Sequence, residues 1–200
     1  ALDSPDLQFG VKELCRRRSS PSEMDWERLK RLARYVLGRA AVKWRFVWQE
    51  SVEQVTVYTD SDWAGCVRTR KSTSGGMILV GKHLIKSYSN TQSVVALSSG
   101  EAEVYALIDG VTRAKQVKCM AGEIGHESWG AIEVWTDSSA AKALASRRGL
   151  AKVRHMATKW LWLQDEVQKG ETKVGKVLGE VNPMRLVHQI SKLGPIGENI

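Results

Sequence analysis

Cysteine is scarce and scattered in this chain. Its 200 residues include three, Cys15, Cys66 and Cys119, far apart and with no CxxC pair. This argues against a disulfide framework or a zinc site and for a reducing, intracellular compartment. Each thiol is expected to serve as a small core residue. No apolar run is long enough to cross a bilayer, so no membrane partner is expected. The opening ALDSPDLQFG has neither the basic start nor the apolar centre of a signal peptide. It also lacks an initiating Met, so the chain is expected to be cut from something longer. Acidic charge is in the minority, with 22 Asp and Glu against 30 Lys and Arg, a net charge of +8. That excess points to a polyanionic partner, nucleic acid first among them.

The remainder of the composition, 42% hydrophobic and 26% charged, is that of an ordinary globular protein. The first 50 or so residues differ in character from the other three quarters of the chain. Ser20, Pro21 and Glu23 form a helix-start signal. After it, Trp26, Leu29, Leu32, Ala33 and Val36 recur at helical spacing among Arg28, Lys30, Arg31 and Arg34, and Gly38 fits a C-terminal cap. The expectation is a packed amphipathic helix with a solvated basic face; the competing reading lays that basic face along a nucleic-acid backbone. AVKWRFVWQ then alternates Val42, Trp44, Phe46 and Trp48 on one side, the pattern of a half-buried strand.

From Val52 the order of elements becomes informative. SVEQVTVYTD reads as a strand, and GGMILVG with HLIKSYSN as a strand pair joined at Gly81-Lys82. A long helix runs through SSGEAEVYALIDGVTRAKQVKCMAGEIG. AIEVWTD is a strand, SSAAKALASRRG and VRHMATKWLWLQDEVQKG are helices, and ETKVGKVLG is a last strand. Three strands, then helix, strand, helices and strand, imply an α/β fold with a mixed sheet and helices on its faces.

One phrase occurs twice. VYTDSD and VWTDSS each run valine, aromatic, threonine, aspartate, serine, with Asp60 in the first and Asp137 in the second. If the two strands are parallel neighbours, two carboxylates meet at one end of the sheet. Such a pair repels unless one is protonated or a cation lies between them, and a hard divalent ion suits oxygen ligands. A third acid is expected from the long helix. Ser98 and Glu101 form a capping box, which gives Glu101 a structural task. Glu103 shares a small, apolar stripe with Ala106, Leu107, Gly110, Ala114 and Val117, so it should face the sheet and join the aspartates. The competing reading makes both glutamates ordinary acids of a helix N-terminus. Asp62 is assigned to the turn beyond the strand, anchored by Trp63, and Asp109 and Asp165 to solvated helix faces.

Taken in order, YTDSDWAGC, RKSTSGG, QSVVALSSGEAEVYAL, VWTDSSAAKAL and KVRH resemble the ribonuclease H domain of copia-type retrotransposon Pol polyproteins. The resemblance runs from about Val52 to Val181. The upstream segment resembles the C-terminal end of the adjoining reverse transcriptase. The domains implied are residues 1–50 for that connection, 51–192 for a ribonuclease H-like domain and 193–200 for a tail. The fold implied is a ribonuclease H-like mixed five-stranded sheet with helices on both faces, plus a short, mainly helical N-terminal segment. The activity implied is hydrolysis of the RNA strand of RNA–DNA hybrids, with two Mg²⁺ ions, or Mn²⁺, held by Asp60, Glu103 and Asp137. The partners implied are the hybrid and the reverse transcriptase of the same polyprotein, in the cytoplasm within virus-like particles.

Basic and hydroxyl groups near those acids are the candidates for gripping the hybrid: Arg70, Lys71 and Ser72 in the first loop, and Arg147, Arg148, Arg154 and His155 after the second aspartate. Arg68, Ser74 and Lys152 accompany them. His83, His126 and His188 show no ligand spacing. One position departs from the family. A fourth acid is expected after the last strand, and VNPMRLVHQISK has Arg185 in its place, with Glu180 and Asn182 as potential substitutes. That charge motivates an alternative, a binding or tethering module of the same polyprotein that keeps the fold without the chemistry. A recombinase or integrase is disfavoured, because those enzymes place their glutamate after the second aspartate.

Overall fold

The computed structural model describes residues 4–39, 43–52, 54–126, 129–149 and 157–184. Helices α1 (Pro5–Cys15) and α2 (Glu23–Gly38) come first. Next are strands β1 (Val55–Asp62), β2 (Thr73–Val80) and β3 (His83–Thr91), then helix α3 (Ser99–Glu123), β4 (Ile132–Thr136), α4 (Ser139–Ser146), α5 (Ala157–Gln168) and β5 (Thr172–Lys176). The strands form one sheet in the order β3-β2-β1-β4-β5. β1 to β3 are an antiparallel meander, and β4 and β5 run parallel to β1 and β4 respectively. The mixed sheet expected from the element order is the one observed.

Alternation along the strands decides which face is dry. Val55 and Val57 of β1, Ile78 of β2, and Ile132 and Val134 of β4 are at most 1% exposed and pack against α3. α3 presents Ala106, Leu107, Gly110 and Ala114 of the predicted stripe to them, together with Val111, while Val117 at its end is only partly buried. Small residues there let the helix lie close to the sheet. A Cβ on Gly110 would come within 2.6 Å of Thr59 Cγ2. Trp160 and Leu163 of α5, 1% and 0% exposed, close the end of this core. β2 and β3 are joined at Gly81-Lys82, with Val80 paired to His83 and Gly81 at φ +59°. Such a left-handed turn suits glycine and matches the twist of a hairpin.

α1 lies on the opposite face, because Gln8 Nε2 donates to Ser87 Oγ at 2.9 Å and Lys12 Nζ to Thr73 Oγ1 at 2.7 Å. Ser87 pairs with Met77 and Thr73 with Asp62, positions that alternate with the α3-facing residues. Helices therefore cover both faces. α2 is tied to α1 by Asp6, which accepts from the Tyr35 hydroxyl at 2.6 Å and from Arg39.

The N-terminal region corrects three expectations. α2 is capped by Ser22, not Ser20. The Ser22 hydroxyl accepts from Asp25 N, and Asp25 Oδ2 accepts from Ser22 N, a capping box set further along the chain than expected. Gly38 ends the helix and Arg39 is its cap. Second, α2 is packed only in part: Leu32 is half-buried beside Gly10 of α1, but Trp26 is 58% exposed and Val36 44%. Third, residues 43–52 form no strand, and Trp48 is 91% exposed. Alternation needs a neighbouring strand to give it a dry side, and none of the described strands pairs with this segment. The cysteines depart as well. Cys15 and Cys119 are exposed and Cys66 is half-buried, so none is a core residue.

Candidate metal centre

The repeated phrase is explained by strand register. β1 and β4 pair in parallel, joining Val57 to Val134 and Tyr58 to Trp135. The same step carries Asp60 to Asp137, one residue beyond β4. The two copies thus lie side by side and bring their aspartates to one rim.

Glu103 enters from the first turns of α3. Asp60, Glu103 and Asp137 each offer a carboxylate oxygen within 4.8 Å of the others. Glu103 is 8% exposed. Its Oε1 accepts from Ser61 N at 3.1 Å and from the Ser61 hydroxyl at 2.7 Å. Its Oε2 is buried without a hydrogen-bond partner. Burial raises the carboxyl most; the Ser61 bonds oppose this, the charges of Asp60 and Asp137 reinforce it, and the net is a rise from 4.5 to about 8. Three acids have been brought together at a cost in repulsion and desolvation. A divalent cation removes both penalties, and hard oxygen donors suit one. The residues present fit such an ion.

Ser61 was missed by reasoning from sequence, although a signal existed. The serine after each aspartate belongs to the echo, and both serines act. Ser61 fixes Glu103, while Ser138 caps α4 by accepting from Ala141 N at 3.1 Å. Glu101 caps α3 in a variant of the expected manner: Ser98 Oγ accepts from Glu101 N at 3.2 Å, and Glu101 Oε2 accepts from Leu97 N at 2.9 Å. Asp62 belongs to β1, opposite Thr73, instead of to the turn. Trp63 anchors the departure through Nε1 to Ala96 O at 3.1 Å.

The predicted cations and hydroxyls are placed unevenly. Arg70 is exposed, at φ 55°. Lys71 donates to Ser93 O at 2.6 Å. Ser72 is fully buried and accepts from Ala64 N at 3.0 Å, so its hydroxyl closes the loop. Arg147 and Arg148 are exposed beyond the far end of α4, about 12 Å of helix away from Asp137. Arg154, His155 and Arg185 lie outside the described residues. Asn182 is 1% exposed and committed at both ends: Nδ2 donates to Thr59 O at 3.1 Å, and Oδ1 accepts from Met184 N at 3.1 Å. It secures the segment after β5 to β1 and is not free to act as a ligand. Glu180 is exposed and stands outside the cluster.

Comparison with known proteins places this geometry. No family model matches the chain. It is 26% identical over 175 residues to the retrovirus-related Pol polyprotein from transposon RE2 of Arabidopsis thaliana, covering 87% of this chain and 12% of that one. It is 27% identical over 188 residues to the Pol polyprotein from transposon TNT 1-94 of Nicotiana tabacum, covering 93% of this chain and 14% of that one. Among solved structures, LC11-RNase H1, isolated from compost, matches with a TM-score of 0.52 at 14% identity, over 70% of this chain and 93% of that one. The chain is thus similar in sequence to copia-type retrotransposon Pol polyproteins and in fold to a ribonuclease H. It spans about an eighth of the length of the Pol polyproteins it matches. Its fold is that of ribonuclease H, and Asp60, Glu103 and Asp137 come together in it.

Proposed function

We propose that the chain is an endoribonuclease that hydrolyses the RNA strand of RNA–DNA hybrids during reverse transcription of a retrotransposon, in the cytoplasm within virus-like particles. The observation that carries this reading is the convergence of Asp60, Glu103 and Asp137 within 4.8 Å at the rim of a ribonuclease H fold. A pair of Mg²⁺ ions held by these carboxylates would supply an activated water and stabilise the departing 3′ oxygen.

The chain's own residues supply order and charge. Ser61 pins one oxygen of Glu103 by two hydrogen bonds and leaves the other buried without a hydrogen-bond partner. The parallel pairing of β1 and β4 fixes the spacing of Asp60 and Asp137 through backbone bonds, so the donors are in place before a substrate arrives. The basic loop after β1 gives phosphates a positive surface beside the acids, and such contacts carry no base preference.

A second reading rests on the C-terminal side of the site. Among the described residues the cluster holds three acids, Asn182 is committed to backbone bonds, and the sequence has Arg185 where the family has a fourth acid. On that reading the domain binds hybrids without cutting them. Incubating a labelled hybrid with the chain and Mg²⁺ separates the two. Cleavage that falls about 10²- to 10³-fold in Asp137→Asn supports the nuclease. Cleavage that appears only after Arg185→Asp supports the inactive module, and cleavage indifferent to Asp137→Asn overturns the site.

A further inference from the structure

Two segments far apart in sequence bring their cations to one place. α1 ends at Arg16, Arg17 and Arg18, and the loop between β1 and β2 carries Arg68, Arg70 and Lys71. Two bonds fasten the end of α1 to the base of that loop. Arg16 Nη2 donates to Cys66 Sγ at 2.9 Å, and Lys12 Nζ donates to Thr73 Oγ1 at 2.7 Å. The first holds the loop where it leaves β1, and the second where it enters β2.

The loop is itself held shut. Arg70 N donates to Cys66 O at 2.7 Å, Cys66 N to Lys71 O at 3.2 Å, and Lys71 Nζ to Ser93 O at 2.6 Å. Arg70 keeps a left-handed backbone at φ 55°, a conformation that costs energy for a side-chain-bearing residue and persists only under such restraint. The result is a fixed backbone with Arg17, Arg18, Arg68 and Arg70 exposed around it. Acids answer only part of this charge. Glu13 is shared between Lys12 at 3.0 Å and Arg16 at 3.2 Å, Asp25 reaches Arg17 at 3.5 Å, and Asp62 lies near Lys12. The loop departs from the end of β1 at Asp62, two residues along the chain from Asp60.

Resting on the nuclease reading above, we infer that the end of α1 and the β1–β2 loop form one composite phosphate-binding surface, in which Arg17 and Arg18 extend the grip of Arg68 and Arg70 along a nucleic-acid backbone. Several guanidinium groups on a rigid support favour a ligand with phosphates repeated along it, because each neutralised phosphate releases counterions. The surface joins a helix outside the ribonuclease H sheet to a loop within it. Binding therefore couples the N-terminal segment to the site.

The test uses the full chain, a fluorescent RNA–DNA hybrid and EDTA, so that affinity is read without metal or cleavage. Arg17→Ser with Arg18→Ser, and Arg68→Ser with Arg70→Ser, are compared with the parent across a salt series. Each pair is expected to weaken binding about tenfold at low salt and to reduce the slope of log K against log salt by roughly 1.5. Arg17→Lys with Arg18→Lys is expected to retain the parent slope. Thermal melts establish that each variant is folded. An unchanged affinity and slope in the α1 pair overturns the inference; the same null result in both pairs means that the patch serves another partner, such as an acidic polypeptide, and also overturns it. Failure of the nuclease reading is distinguishable, since it would appear as absent cleavage in Mg²⁺ while the salt slopes still shift as expected.

Discussion

Trp160 and Trp48 have the same side chain and opposite fates: the first is 1% exposed in α5, and the second 91% exposed in the segment before β1. The contrast extends to the regions that hold them. In the sheet and α3, Val57, Ile78, Leu107 and Val134 are sealed from water, whereas in α2 Trp26, Leu29, Val36 and Leu37 are open to it. Both regions show periodic apolar residues. Periodicity says which face an element would bury, but burial needs a second surface, which the sheet, α3, α4 and α5 supply to one another.

The largest stability difference should fall along that division. Leu107→Ala removes a side chain with no exposure, and chemical denaturation should show a loss of about 3 kcal/mol or more. Next comes Glu103, whose carboxyl is pushed up to about 8. Below about pH 4.5 both folded and unfolded chains hold the proton and nothing is lost. Between there and about pH 8 the unfolded chain releases the proton while the folded chain keeps it, so stability falls as pH rises and then levels. Glu103→Gln should therefore stabilise the metal-free protein by about 2 kcal/mol near pH 8, with no gain at pH 4. A flat difference across that range would contradict the raised carboxyl.

Smaller effects belong to the N-terminal region. Ser22→Ala removes the cap and its reciprocal bond with Asp25, and should cost about 1 kcal/mol of α2 stability, read as loss of helical circular dichroism before the main transition. Trp48→Ala should change the melting free energy by less than about 0.5 kcal/mol. A loss there as large as at Leu107 would show that the two regions share one core.

The same comparison explains what could be read from residues alone. The strands and helix around the echo were legible because valine alternation, the Gly81-Lys82 turn and the stripe on α3 agree with one another. Asp60, Glu103 and Asp137 were legible because each sits at a predictable end of an element. What failed lay where local pattern had little partner: the alternation of Trp44, Phe46 and Trp48 without a neighbouring strand, and the apolar stripe of α2, which α1 covers only at Leu32. Ser20 failed for a different reason, since two serines and a proline in succession offer competing caps, and Asp25 decides for Ser22. The burial of Ser72 and the bond of Arg16 to Cys66 depend on segments that meet only in the fold. Cys66 also shows how such meetings change chemistry. Burial alone would raise its thiol, but hydrogen bonds from Thr69 and from the Arg16 guanidinium outweigh it and bring the group down to about 7.

The most direct test of the acidic rim is calorimetric titration of Mn²⁺ into the chain at pH 7, in the presence of hybrid and in two buffers of different ionisation enthalpy. The account predicts saturable uptake accompanied by release of the proton held at Glu103, with both lost in the double variant Asp60→Asn, Asp137→Asn. Uptake of the ion that is unchanged in that variant, or no uptake by the parent chain, would contradict it.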